Sequence, residues 1–183
     1  MIYVSLVDEN GKYLGVMEKL AAHKQGCLHQ AISIYMYNTK GQILLHRRAA
    51  GKYHCGGLWS NTCCSHPFPN ESAELAATRR LEEEMGIKVN KLHEVTRLIY
   101  NLPVTNNLIE HEYTIVFFGI SDKNPLLNYS EADNYQFLYP NEILSLMERD
   151  GSIFTPWFVY TFKKIFPLLN AKYEIILSNM QGC

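Results

Sequence analysis

The 183-residue chain has no long apolar run: the longest, Thr114 to Ile120, is far too short to cross a bilayer. Its first residues, Met1-Ile-Tyr-Val-Ser, lack the basic region and apolar stretch of a secretory leader. A cytoplasmic chain with no membrane partner is therefore expected. It also lacks net charge: 17 Lys and Arg stand against 18 Asp and Glu, a formal balance of −1. That excludes the basic footprint of a nucleic-acid binder. An anionic substrate would have to be held by a local cluster or a metal, not by the field of the whole protein. Cysteine is sparse and odd in number, at Cys27, Cys55, Cys63, Cys64 and Cys183. Without a leader, this favours free thiols in a reducing compartment over a disulfide framework. Cys183 is the last residue and so cannot begin a prenylation box; it is read as a tail residue with no role. Repeats, linkers and low-complexity tracts are missing too, so residues 1–183 are read as a single domain, expected to be a monomer.

What is present is strand and helix in alternation. Gln30 to Tyr37 alternates around Ile32, Ile34 and Met36, as a half-buried strand does. The turn Asn38-Thr-Lys-Gly41 and a returning strand from Gln42 to Arg47 complete a hairpin. Further strands are expected over Val95–Tyr100, Glu110–Gly119 and Tyr135–Tyr139. One helix is expected to be capped by Asn70, with Glu71 and Glu74 in its first turn. Ala77, Leu81 and Met85 share its buried face, and Gly86 ends it. A second helix follows Pro140 and stops at Asp150-Gly151, and a third runs from Pro156 to about Phe166, near Pro167. The fold class is α/β (α+β).

Four groups carry polar chemistry. Cys64 and His66 stand two residues apart, so on a strand they face one way. Taken alone, the pair is more readily a small buried thiol beside a surface histidine. Glu110 and Glu112 share the same spacing; they need a cation, a basic partner or water. His23 and His29, read as lying on a loop, suit a metal, though unrelated surface histidines are the commoner arrangement. Three histidines and two glutamates can together furnish a roughly octahedral site for Zn²⁺, Mn²⁺ or Mg²⁺, and the ligand set does not choose among them. Arg80 and Glu84 are four apart on the helix. They make either an ordinary helical ion pair or a magnesium ligand beside a phosphate-binding arginine.

At these residues the chain resembles a known family. Glu71, Arg79, Leu81, Glu83, Glu84, Gly86 and Ile87 resemble the Nudix box, with Ser65 in place of its glycine and Arg80 in place of a metal-binding glutamate. The run Thr62-Cys-Cys-Ser-His-Pro67, the pair Glu110/Glu112, Lys19-Leu-Ala-Ala-His23, Leu28-His29, Arg47-Arg48 with Lys52, and Pro156-Trp157 are similar to the type 1 isopentenyl-diphosphate isomerases. The resemblance extends from about Leu6 to Phe166. It implies a Nudix-like mixed sheet sandwiched by helices and a small diphosphate substrate. It further implies that His23, His29, His66, Glu110 and Glu112 bind a divalent metal, while Glu84 holds a diphosphate-bound Mg²⁺. Lys19, Arg48, Lys52 and Arg80 would meet the phosphates. Cys64 and Glu112 would be the acid/base pair, with Tyr100 beside Glu112 and the Trp157 ring against the substrate. Two other readings compete: a Nudix pyrophosphohydrolase, which gives Cys64 no role, and a non-catalytic module with a structural metal.

Overall fold

The structure, a computed structural model, describes residues 1–181; Cys183 lies outside them. The strands are β1 (Tyr3–Val7), β2 (Tyr13–Glu18), β3 (His29–Tyr37), β4 (Ile43–Arg48), β5 (Trp59–Ser60), β6 (Cys63–Ser65), β7 (His93–Val104), β8 (Leu108–Ile120) and β9 (Ala132–Leu138). The helices are α1 (Lys19–Gln25), α2 (Ala73–Met85), α3 (Pro140–Asp150) and α4 (Pro156–Gln181).

The centre of the sheet is a parallel pair, β3 with β8, in register from His29 opposite Glu112 to Tyr37 opposite Ile120. β7 closes antiparallel on the far side of β8, with Tyr100 opposite Glu112. Both faces of β3 are covered. Tyr35 and Tyr37 join Phe118 under Phe158, Phe162 and Leu169 of α4. Ile32, Ile34 and Met36 join Phe117 under Ala77, Leu81 and Met85 of α2. The mixed sheet between helices is as expected, but β3 is fully rather than half buried. Its tyrosines tolerate this because their hydroxyls find partners: Tyr35 with Thr161 at 3.4 Å and Tyr37 with Asn170 at 3.2 Å.

Four local expectations are corrected. The hairpin exists only at its turn, since β3 and β4 pair solely at Tyr37 and Ile43. Thr62 is wedged between the two strands: the Met36 N–H donates to Thr62 Oγ1 at 2.9 Å, and that hydroxyl donates to the Leu44 carbonyl at 2.6 Å. Each strand then takes another partner, β6 and β8 for β3 and β9 for β4. Second, Ser72, not Asn70, caps α2, accepting from the Leu75 N–H. Asn70 is instead a left-handed turn residue (φ 69°), and Glu71 stays outside the helix as a bidentate partner of Arg79. Third, α4 passes Pro167 and reaches Gln181. The carbonyl that a proline leaves without a partner is that of Lys163, on the exposed side, while Leu169 and Tyr173 keep packing on the sheet. Fourth, His23 and His29 lie on α1 and at the start of β3, not on a loop.

Two stability measurements follow. Thr62→Val keeps the side-chain shape but leaves a buried N–H and a buried carbonyl unpaired. Urea unfolding should show a loss of about 3 kcal/mol, which Thr62→Ser largely avoids. Glu71 is held below the usual carboxylate range, chiefly by the Arg79 guanidinium and also by the Phe68 N–H. A carboxyl depressed on folding contributes stability that is full above its unfolded value and is lost as pH falls through its folded one. Glu71→Gln should therefore cost about 1 kcal/mol at neutral pH, and the gap from wild type should close as pH falls through the carboxyl's lowered folded-state value.

Candidate active site

Four separate segments deliver the polar groups to one place. On β8, two-residue spacing turns Glu110, Glu112 and Thr114 to the face that α4 covers, and all three are buried. The parallel register sets His29 beside Glu112. Helix α1 is capped by Glu18, which accepts from the Leu20 and Ala21 N–H groups, and it ends at the left-handed Gly26. That short, closed helix carries His23 inward at 0% exposure. β6 brings Cys64, and His66 follows directly.

The imidazoles converge with their lone pairs facing one another. His23 Nδ1 donates to the Lys19 carbonyl at 2.7 Å and His29 Nδ1 to the Cys27 carbonyl at 2.8 Å. In this tautomer each ring turns the Nε2 lone pair to the centre. His29 Nε2 is 3.1 Å from His66 Nε2, which is in turn 3.1 Å from Glu112 Oε1. His23 Nε2 lies 3.5 Å from Glu110 Oε2 and has no hydrogen-bond partner among the described residues. Acceptors packed against acceptors, with an orphaned buried nitrogen among them, fit a divalent cation. Burial drives His29 down to about 4 and His66 well below the ordinary imidazole value, so both are neutral, as ligands must be.

The two glutamates part company. Burial pushes both up, but the neighbouring His23 and His54 imidazoles outweigh it at Glu110, which stays well below the usual range. Glu112 is raised well above it by burial and by the charge on Glu110. The Tyr100 hydroxyl and Thr114 Oγ1 both donate to Glu112 Oε2. Cys64 donates to Asn61 Oδ1 at 3.0 Å and lies 3.6 Å from Ser33 Oγ; burial pushes its thiol up to about 11. Asn61 is itself locked by donating to Ser33 Oγ, the Ile34 carbonyl and the Cys63 carbonyl.

These groups open on a cavity of about 560 Å³ lined by Cys64, Tyr100, Glu110, Glu112 and Trp157 and by the basic residues Lys19, Arg48, Lys52 and Arg80. Its size suits one small ligand. Trp157 packs beneath the Arg48 guanidinium, which sits 5.2 Å from its ring centroid. Lys52 Nζ pairs with Glu131 at 2.5 Å, and Arg80 with Glu84 at 2.5 Å and Glu131 at 3.2 Å. Glu84 is thus apart from the histidine cluster, buried on α2 in the ion pair that its spacing allowed. Sequence reasoning passed over His54, Asn61 and Glu131. Asn61 precedes the recognised cysteine motif by a single residue, whereas nothing in spacing marks His54 or Glu131.

A NUDIX-domain model matches residues 28–158. A solved structure from Deinococcus radiodurans superposes with a TM-score of 0.68 at 17% identity, covering 80% of this chain and 89% of that one. A MutT protein from Methanosarcina mazei gives 0.63 at 21%, covering 76% and 94%. The fold and its box-bearing helix thus define a NUDIX protein. The protein named isopentenyl-diphosphate Delta-isomerase in Pectobacterium atrosepticum is 49% identical over 88% of this chain and 90% of its own length. Isopentenyl-diphosphate Delta-isomerase 2 of Aromatoleum aromaticum is 46% identical over 84% and 81%. This chain belongs to the isopentenyl-diphosphate Delta-isomerase family.

A cation held by the histidine–glutamate cluster would favour the folded chain, so adding one should raise the melting temperature. Saturation at about 100 times the dissociation constant adds ~2.7 kcal/mol. Adding a chelator to the metal-loaded protein should reverse the rise in a thermal melt and do nothing to His29→Ala.

Proposed function

We propose that this chain interconverts isopentenyl and dimethylallyl diphosphate by proton transfer at Cys64 and Glu112. The observation that carries the reading is a half-buried thiol and a buried carboxyl facing one cavity that is also lined by Lys19, Arg48, Lys52 and Arg80. An unactivated alkene is a weak base and needs a well-placed acid. One of the two groups gives a proton to the terminal CH₂ while the other takes one from the carbon beside the tertiary cationic centre. In the reverse direction their roles exchange, and no redox cofactor takes part. Tyr100, bonded to Glu112, can pass the proton between carboxyl and substrate. Asn61 and Ser33 keep the Cys64 sulfur in place. The Trp157 face attracts the cation, an effect of up to about 2 kcal/mol when desolvated, and the aromatic rings of Tyr53, Tyr100 and Trp157 along the cavity limit its capture by water.

His23, His29, His66, Glu110 and Glu112 would hold one divalent ion, Mn²⁺, Zn²⁺ or Mg²⁺. A bound ion there would draw charge from Glu112 and fix His66 beside Cys64. Glu84 would ligate the Mg²⁺ that accompanies the diphosphate. Lys19, Arg48, Lys52 and Arg80 would neutralise the phosphates, which replace Glu131 as the partner of Lys52 and Arg80. The hydrolase reading is weakened by α2 itself. Arg80 stands where the Nudix box has a metal-binding glutamate, and it pairs with both Glu83 and Glu84, so the helix is one carboxylate short of the set that hydrolysis uses.

A proton NMR time course with isopentenyl diphosphate and Mg²⁺ in D₂O should show dimethylallyl diphosphate carrying solvent deuterium; phosphate-containing fragments instead would establish the hydrolase. Cys64→Ala and Glu112→Gln should each lower turnover by at least about 10²–10⁴-fold with an unchanged circular dichroism spectrum. Wild-type-like turnover in either variant would overturn the acid/base assignment.

A further inference from the structure

The Tyr53–Cys55 segment is built to hold one side chain, that of His54, against the metal-ligating carboxylates. Cys55 takes a left-handed conformation (φ 51°) that non-glycine residues avoid. The turn between β7 and β8 pins the segment from both ends: Thr105 Oγ1 accepts from the Cys55 N–H at 3.0 Å, and Asn106 Nδ2 donates to the Tyr53 carbonyl at 2.6 Å. Arg48 Nη2 donates to the carbonyl of His54 itself at 3.3 Å. The ring is 4% exposed, edge-on to Tyr53 and Trp157 with centroids at 4.4 and 5.6 Å. Its Nε2 is 2.8 Å from Glu110 Oε1, while the other oxygen of that carboxylate faces His23 at 3.5 Å.

We infer that His54 is a positioning residue of the histidine–glutamate centre: it donates to Glu110 Oε1 and so keeps Oε2 turned to the cation. The inference rests on the metal reading proposed above. A carboxylate that holds a cation through Oε2 can only accept at Oε1, so the proton of the 2.8 Å bond is on His54 Nε2, and a nitrogen bearing a proton cannot ligate. His54 therefore acts on the centre through Glu110, although its ring stands close enough to His23 and Glu110 to be a ligand itself. Outer hydrogen bonds of this kind typically carry about 10–100-fold in metal affinity. Without His54, Glu110 Oε1 loses the donor that stands 2.8 Å from it and resists rotation of the carboxylate.

The test is a Mn²⁺ titration of metal-stripped protein, following the free-ion electron paramagnetic resonance signal, on wild type, His54→Phe and His54→Gln. The phenyl ring removes the donor and keeps the volume, so affinity should fall about 10–100-fold. Gln restores an N–H donor and should recover most of the loss. Wild-type affinity in His54→Phe would reduce His54 to packing. A His54→Gln as weak as His54→Phe would make the imidazole a direct ligand. Either result overturns the inference while leaving the metal reading intact; a wild type that takes up no Mn²⁺ overturns the metal reading first. Near-ultraviolet circular dichroism of the stripped proteins reports folding, and His54→Leu replaces the phenyl variant if that one does not fold.

Discussion

Two carboxylates buried side by side on β8 are the constraint around which the molecule is arranged. Glu110 and Glu112 are each under 7% exposed, on one face of a strand at the middle of the sheet. Like charges in a poorly solvated place are unstable unless each meets a donor, a cation or a proton. The fold supplies these from every side: Tyr100 and Thr114 on Glu112, His54 on Glu110, and His23, His29 and His66 around both. Such a cluster is weak evidence for stability, since its desolvation offsets much of its attraction. It makes sense as the price of a metal-ready centre.

The same region shows how the sheet makes room for a ligand. Thr62 satisfies one backbone group on each of β3 and β4 at the point where they separate. The short strand β6 fills the gap along β3 and carries Cys63 to one face and Cys64 to the other. Cys63 is spent on the α2 core, whereas Cys64 reaches the cavity. Adjacent identical residues thus acquire opposite surroundings from the two-residue alternation of a strand. At the far end of the cavity, Glu131 holds Lys52 and Arg80 in one array, so the basic wall is ordered before any phosphate arrives.

Periodicity and local chemistry made much of this legible. The alternation over β3 and β8, the 3.6-residue face of Ala77, Leu81 and Met85, and the terminating Gly86 depend on neighbours along the chain. They emerge from sequence alone, as do the family motifs and the pairing of Glu110 with Glu112 on one face. The cap of α2 was displaced by two residues because Asn70 and Ser72 are both good caps, and the Glu71–Arg79 fork decides between them. Pro167 misled for the opposite reason: its local cost is real, but α4 continues because the sheet still has apolar surface for Leu169 and Tyr173 to cover.

Sequence by itself therefore determined β3, β8, α2 and α3 as elements, the cysteine, histidine and glutamate motifs, and the shared face of Glu110 and Glu112. Tertiary structure alone decided that β3 abandons β4 for β8, that Thr62 parts them, and that His54 and Glu131 join the site from loops with no motif. Spacing rules reach only a few residues, whereas these contacts join segments that are tens of residues apart. They exist because buried polar groups must find partners wherever the packed chain brings them.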